Sequence, residues 1–245
     1  MRISQEMSPD PNGRKRVPLR RLFVTFTAPA MKHFLLLAFT LLLSLQRAHA
    51  GPVPLFDGKS LDGWEGETAK TWRVLDGAIV GGSLEGNPRN EFLATKKSWR
   101  NFVLRLEYKL TGTEGFVNGG VQIRSVRIAA PPNEMSGYQA DIGAGYSGCL
   151  YDESRRNKVL AQADKALIAK LEKPGDWNLY EIRCEGARIR LSLNGTQTVD
   201  FTESEPGIAM EGLIALQIHG GAKSEVAYRA ITIEELPETA AKAAP

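Results

Sequence analysis

His219 is the only histidine beyond residue 49, and it closes the run Leu216-Gln217-Ile218-His219. An imidazole titrates near neutrality, so a single histidine among polar neighbours is a natural site for moving a proton. Polar side chains recur at every second position elsewhere in the chain: Arg105 and Glu107, Gln122 and Arg124, Gln139 and Asp141, Gln217 and His219. A spacing of two puts each pair on one face of a strand. A merely solvated face favours Lys, Glu, Thr and Ser. This set is weighted to Gln, Arg, Asp and His, whose hydrogen bonds run in fixed directions. If the sheet curves, these residues line one concave surface suited to a polyhydroxylated ligand; an ordinary polar outer face is the alternative.

The elements that must position them read as antiparallel β throughout. Phe102, Leu104, Leu106, Tyr108 and Leu110 alternate with Val103, Arg105, Glu107 and Lys109, which predicts a strand with one face buried. The same period recurs at Val121, Ile123 and Ser125, at Tyr138, Ala140 and Ile142, and at Tyr180, Ile182 and Cys184. Ile189, Leu191 and Leu193 lead into Asn194-Gly195, a two-residue turn suited to type I′ geometry, with 198–201 as the returning strand. Ile214, Leu216 and Ile218 form a further strand and 226–236 the last. Only 161–172, rich in helix formers and followed by Lys173-Pro174-Gly175, reads as a short helix.

Residues 1–50 are set apart. Met31-Lys32-His33, the apolar run 34–45 and Ala48-His49-Ala50 make a secretory signal with cleavage expected after Ala50. The run is shorter than the roughly 20 apolar residues a spanning helix needs. Residues 1–30 are read as a leader extension, or as preceding a true start at Met31. The domain then covers 51–236, with a flexible tail over 237–245, and the product is exported to the periplasm or the medium with no membrane attachment. The whole chain has 31 basic and 28 acidic side chains, and eight of the basic and two of the acidic lie in 1–50. The remainder carries 23 against 26, a net charge of −3, which removes any nucleic-acid reading from charge. Cys149 and Cys184 either pair, closing a loop stabilised by roughly 3–4 kcal/mol, or are separate small hydrophobes, as the strand position of Cys184 suggests. No His and Cys spacing marks a metal site.

Several segments occur in a telling order: Leu55-Phe56-Asp57-Gly58-Lys59-Ser60-Leu61-Asp62-Gly63-Trp64, Gly119-Gly120-Val121-Gln122-Ile123-Arg124-Ser125, Gly137-Tyr138-Gln139-Ala140-Asp141, Leu150-Tyr151-Asp152-Glu153, Trp177-Asn178, Leu193-Asn194-Gly195 and Leu216-Gln217-Ile218-His219. In this the chain resembles the 3-keto-disaccharide hydrolase family over nearly all of 54–236. The resemblance implies a concanavalin- or laminarinase-like jelly-roll β-sandwich with its sugar site on the concave sheet. It also implies a substrate, an oligosaccharide or glycoside, whose carbon 3 an upstream sugar 3-oxidoreductase has converted to a ketone. The ketone acidifies the hydrogen on carbon 2, so a base can remove it and the glycosidic oxygen can leave by β-elimination, after which water can add.

Such a reaction needs a base, donors for the enolate oxygen and an acid for the leaving group. His219 is the first candidate, with Asp141 and Glu107 able to orient it or to act as the base. Arg124 is the candidate donor to the enolate oxygen, and Gln122, Gln139, Gln217 and Arg105 to the hydroxyls. Tyr151, Tyr138 and Trp177 are candidates for stacking on the sugar. The stretch 152–156 is read as a rim loop from which Arg155 or Arg156 reaches the ligand. No cofactor is expected, a divalent cation among Asp141, Glu107 and His219 being left open. Two other readings stand beside this one: a carbohydrate-binding, lectin-like module, and a conventional retaining glycosidase. The E-x-D-x-x-E signature of a laminarinase type is absent from the sequence.

Overall fold

The structure, a computed structural model, describes residues 51–238. The leader expected over 1–50, and all but the first two residues of the expected tail, lie outside them. The strands are β1 Val53–Pro54, β2 Trp64–Glu65, β3 Trp72–Leu75, β4 Ala78–Ser83, β5 Glu91–Thr95, β6 Phe102–Gly115, β7 Asn118–Arg127, β8 Met135–Gly143, β9 Leu150–Glu153 and β10 Lys158–Ala161. After the helix α1 Lys165–Leu171 come β11 Asn178–Glu185, β12 Arg188–Leu193, β13 Thr196–Thr202, β14 Leu213–Ile218 and β15 Ala222–Glu235. One sheet runs in the order β13-β12-β11-β6-β15-β4-β3, with β1 added on β15, and the other runs β10-β9-β8-β7-β14-β5-β2. Every pairing between named strands is antiparallel.

The alternation of apolar residues builds the core between the sheets. Phe102, Leu104, Leu106, Tyr108, Tyr180, Ile182 and Cys184 face it from the first sheet, and Val121, Ile123, Tyr138, Ala140, Ile142, Leu216 and Ile218 from the second, all buried in one cluster. Each Leu, Ile or Phe so buried contributes about 1.5–3 kcal/mol. At the β12–β13 turn Asn194 and Gly195 take φ 48° and 83°, the pair of left-handed residues that a type I′ turn requires.

Two boundaries differ from the sequence expectation. The helix begins at Lys165 rather than near 161, because Asp164 caps it by accepting from the Leu167 N–H. The preceding Lys158–Ala161 pairs with β9 as a strand. The last strand starts earlier, at Ala222, and pairs with both β4 and β6. Cys149 and Cys184 are both free and buried, so no disulfide joins them. The Cys149 sulfur instead accepts from Gln162 Nε2 and the Ala163 N–H. Among the described residues no helix is long and apolar enough to cross a membrane.

Candidate functional site

The register of the second sheet assembles the site. Gln217 on β14, Gly120 on β7 and Asp141 on β8 stand directly opposite one another. The neighbouring row is Gln122, Gln139 and Tyr151, and Glu153 pairs with Gly137 beyond it. All of these side chains lie out of phase with the core, on the outer face of the sheet. Gly120 is what lets them close up, since a Cβ there would stand 2.7 Å from the Gln139 side chain.

Asp141 forms the floor. Its Oδ1 accepts from Asn118 Nδ2 at 2.8 Å and from the Ile142 N–H at 3.0 Å, and Gln139 donates to the same carboxyl. Burial outweighs these donors and pushes Asp141 up to about 7. Glu153 is raised to about 7 as well, by burial first and the neighbouring Glu134 second. Glu134, itself buried and raised by that burial, is held by Asn90 and Ser154. Gln217 Nε2 reaches Glu153 at 3.4 Å, while its Oε1 is buried with no hydrogen-bond partner among the described residues. Gln122 donates to Gln139 Oε1 at 2.8 Å and accepts from the Ser125 hydroxyl.

His219 follows the last residue of β14, where its backbone N–H still bonds to the Asn118 carbonyl at 3.0 Å and so keeps the ring at the end of this face. Its Nδ1 lies 2.7 Å from the Gly220 carbonyl oxygen. A carbonyl only accepts, so Nδ1 carries the proton, and in the neutral ring Nε2 is then left with its lone pair. Phe116 packs edge-on to the imidazole with centroids 4.8 Å apart, and Tyr146 packs on Phe116 in turn. Asn118, Gln139, Asp141, Tyr151, Glu153 and His219, rimmed by Phe116 and Tyr146, enclose a cavity of about 150 Å³.

The structure therefore brings together His219, Asp141, Gln122, Gln139, Gln217 and Tyr151 from the sequence expectation, and it removes four others. Arg105 and Glu107 are on β6, in the opposite sheet, where Arg105 pairs with Glu181 and Glu234 and Glu107 pairs with Arg229. The trio Asp141, Glu107 and His219 thus does not converge. Arg124 fails for a different reason. β7 bulges after Ile123, Arg124 takes φ 49°, and the side chain turns off the face. It is buried with its guanidinium on the carbonyls of Arg100, at 2.7 and 2.9 Å, and of Gly186, at 2.7 Å.

Arg155 is the fourth. It binds the fully buried Asp152 and lies over Tyr138, on the core side of β9. Arg156 shares Asp152 and reaches Glu203 and Glu205. The expected rim loop is accordingly shorter, because Asp152 and Glu153 belong to β9. Of the aromatics, Tyr138 is in the core and bonds to Glu203, and Trp177 is sandwiched with Arg229 and Lys109 away from this face. Glu153, Asn118, Phe116 and Tyr146 were missed. Alternation from Tyr151 would have found Glu153; nothing in the sequence pattern singles out the other three.

A family model described as a 3-keto-alpha-glucoside-1,2-lyase-like domain matches residues 51–234. Among curated proteins none matches. A Parabacteroides distasonis protein provisionally assigned to the glycosyl hydrolases superposes with TM-score 0.57 at 21% identity, over 76% of this chain and 94% of its own. A carbohydrate-binding module from Bacillus subtilis gives 0.56 at 18% identity, over 71% and 96%. A β-glucanase from Bacillus licheniformis gives 0.51 at 9%, over 78% and 100%. At these identities the likeness is one of fold, and it makes the two-sheet sandwich a jelly roll.

Proposed function

The chain belongs to the 3-keto-alpha-glucoside-1,2-lyase-like domain family, and from that premise we propose that it cleaves glycosides bearing a ketone at carbon 3 by β-elimination. The observation that carries this reading is one small cavity holding a histidine whose Nε2 has no hydrogen bond among the described residues, with the buried Asp141 and the half-buried Glu153, each carboxyl raised to about 7. Groups poised near neutrality serve both proton removal and proton delivery.

His219 Nε2 takes the hydrogen of carbon 2 as a proton, and the C–H electron pair flows into the ketone to give an enolate. The enolate re-forms its carbonyl, a double bond develops between carbons 1 and 2, and the bond from carbon 1 to the glycosidic oxygen breaks with its electrons on that oxygen. Glu153 in its acid form protonates the leaving oxygen. Its Gln217 contact is long, so a proton on this carboxyl meets little competition. Asp141, tied down by Asn118, Ile142 and Gln139, is better suited to fixing the geometry than to giving up a proton. The Tyr151 hydroxyl makes no hydrogen bond among the described residues and is available to the carbon 3 oxygen. Addition of water runs the same steps backwards: Glu153 takes a proton as hydroxide joins carbon 1, and His219 returns its proton to carbon 2. Both groups are then reset, and the net change is hydrolysis.

The substrate must come from a reaction that oxidises the hydroxyl on carbon 3, and we propose that both steps lie outside the cytoplasm, in line with the leader that the sequence leads us to expect over 31–50. The test is to incubate the purified protein with a 3-keto-glucoside and with the unoxidised glucoside, following aglycone release and enone absorbance. Release from the keto form alone, lost in His219→Ala and Glu153→Gln, is expected. Equal release from the unoxidised glucoside would replace the reading with a conventional glycosidase. Sugar binding with release from neither would leave a binding module.

A further inference from the structure

Phe116 serves two cavities. Besides closing the reacting pocket against His219, it lines a larger cavity of about 520 Å³, reached past the β6–β7 link and the segment that follows α1. Tyr108, Leu110, Phe116, Val117 and Pro174 supply its side-chain walls, and Glu172 is its carboxylate. Glu172 Oε1 accepts from the hydroxyls of Tyr108 at 3.0 Å and Ser147 at 2.6 Å. Its Oε2 has no hydrogen bond among the described residues, and burial, then Glu172 itself, hold the Tyr108 hydroxyl far above its usual range and so protonated.

Size and chemistry together suggest what belongs there. Pockets for small ligands run to about 300–1,000 Å³. The reacting pocket, at about 150 Å³, falls short of that, whereas the second cavity lies within it. A glycoside has two halves, and the half bonded to the glycosidic oxygen must leave the reacting pocket on some side. The side marked by Phe116 is walled mainly by aliphatic and aromatic surface, with Thr111, Lys173 and Asn178 beside Glu172 as its polar lining.

We propose that this cavity receives the leaving group of the substrate, and that the leaving group it suits is a planar, mainly apolar aglycone whose distal hydroxyl donates to Glu172 Oε2. The proposal rests on the keto-glycoside reading of the neighbouring pocket. Phe116 is the wall common to sugar and aglycone, and its ring offers an edge or face to an aromatic group. Pro174 is exposed at the mouth, so a larger side chain there narrows the entrance without touching the sugar residues. Glu172→Gln keeps an acceptor for Tyr108 and Ser147 but turns the second oxygen into a donor.

The experiment has a binding arm and a kinetic arm, both on the full chain. In the first, free hydroquinone, a planar aromatic whose second hydroxyl stays distal when the first carries the sugar, is titrated into wild type, Pro174→Trp and Glu172→Gln, with melting temperatures recorded to confirm folding. Saturable binding is expected, weakened about tenfold in each variant, as for loss of a fitted apolar surface or of a hydrogen-bonded hydroxyl. In the second, kcat/KM is measured for the 4-hydroxyphenyl and methyl 3-keto-glucosides. The aryl oxygen is intrinsically the better leaving group, so the diagnostic quantity is the change of the aryl-to-methyl ratio on mutation. That ratio should fall about tenfold in Pro174→Trp. Absence of saturable binding, or a ratio that does not move in a folded Pro174→Trp variant, overturns the proposal. If hydroquinone binds and the variants weaken it while neither keto-glucoside is cleaved, the cavity assignment stands as a site for hydroxylated aromatics and the elimination reading fails.

Discussion

Replacing Asp141 by Asn should make the protein more stable at alkaline pH. In the unfolded chain this carboxyl releases its proton near the ordinary value of 3.8, while in the folded protein it holds the proton up to about 7. Between those values the folded state binds more protons than the unfolded state, so stability falls as pH rises through the window and levels off above about 7. At about 1.36 kcal/mol per pH unit the rise corresponds to about 4 kcal/mol of lost stability. Asn buries no charge, and its Oδ1 can still accept from the Ile142 N–H and Asn118 Nδ2. It gives up one donor, Gln139, worth about 1 kcal/mol. The net gain at pH 8 is about 3 kcal/mol, or about 6–12 °C in melting temperature for a domain of this size. At pH 4 the gain should vanish or reverse by about 1 kcal/mol. Calorimetric melts of both proteins from pH 4 to 9 measure this directly. A variant melting at or below wild type at pH 8, or a difference that does not depend on pH, would refute the assignment of Asp141 as a buried carboxylate held against its solvation.

Activity towards a 3-keto-glucoside should decline above about pH 7 as Glu153 loses the proton it delivers, and Glu153→Gln should abolish that alkaline limb along with most of kcat; a limb that persists in the variant assigns it elsewhere, the apparent value belonging jointly to the two coupled carboxyls. His219→Ala should cost about 10²–10⁴ in kcat/KM with an unchanged melting temperature, and a loss below tenfold would remove it as the base. Arg124→Met should destabilise by about 3 kcal/mol or more in urea titrations, because buried carbonyls of Arg100 and Gly186 lose their donor, while kcat of the folded fraction stays level; a drop in kcat alone would return Arg124 to the site. Both thiols should react with a thiol reagent only after denaturation, with no mass change on reduction.

What the sequence disclosed and what it hid follow from how strands work. Alternation fixes which residues of one strand share a face, so Gln139 with Asp141, and Tyr138 with Ala140 and Ile142, sort correctly without coordinates. It is silent on which sheet a strand joins, and Arg105 and Glu107 match the same pattern from the wrong sheet. It also fails at a bulge. Gln122 and Arg124 are two apart, yet the extra residue before Val126 sends one onto the site and the other into the carbonyls of Arg100 and Gly186. Asp152 and Glu153 look like parts of one charged loop run, whereas as strand residues they point in opposite directions. One anchors Arg155 and Arg156 on the core side, and the other faces His219's cavity.

The contrast between the two sheets indicates why one outer face is a site and the other is not. On the first sheet the charges cancel across strands: Arg105 with Glu181 and Glu234, Arg229 with Glu107, Arg188 with Asp200, Arg73 with Glu225. These pairs are partly solvated and each is worth little, so they decorate the sheet without storing energy in it. At the second sheet Asp141 and Glu134 are buried and Glu153 is half-buried, all three are raised first by their loss of solvent, and among the described residues none has a Lys or Arg partner. Amides and backbone N–H groups stand in for cations there. An arginine at this place would hold the carboxyls ionised and useless as acids near neutrality. Amides leave Asp141 and Glu153, each at about 7, close to even odds of carrying a proton, at a cost in stability that a core containing Trp72, Phe102, Tyr180 and Tyr228 can bear. Proton transfer to and from a sugar carbon needs groups in that balance, and burial without a Lys or Arg partner among the described residues is what sets it.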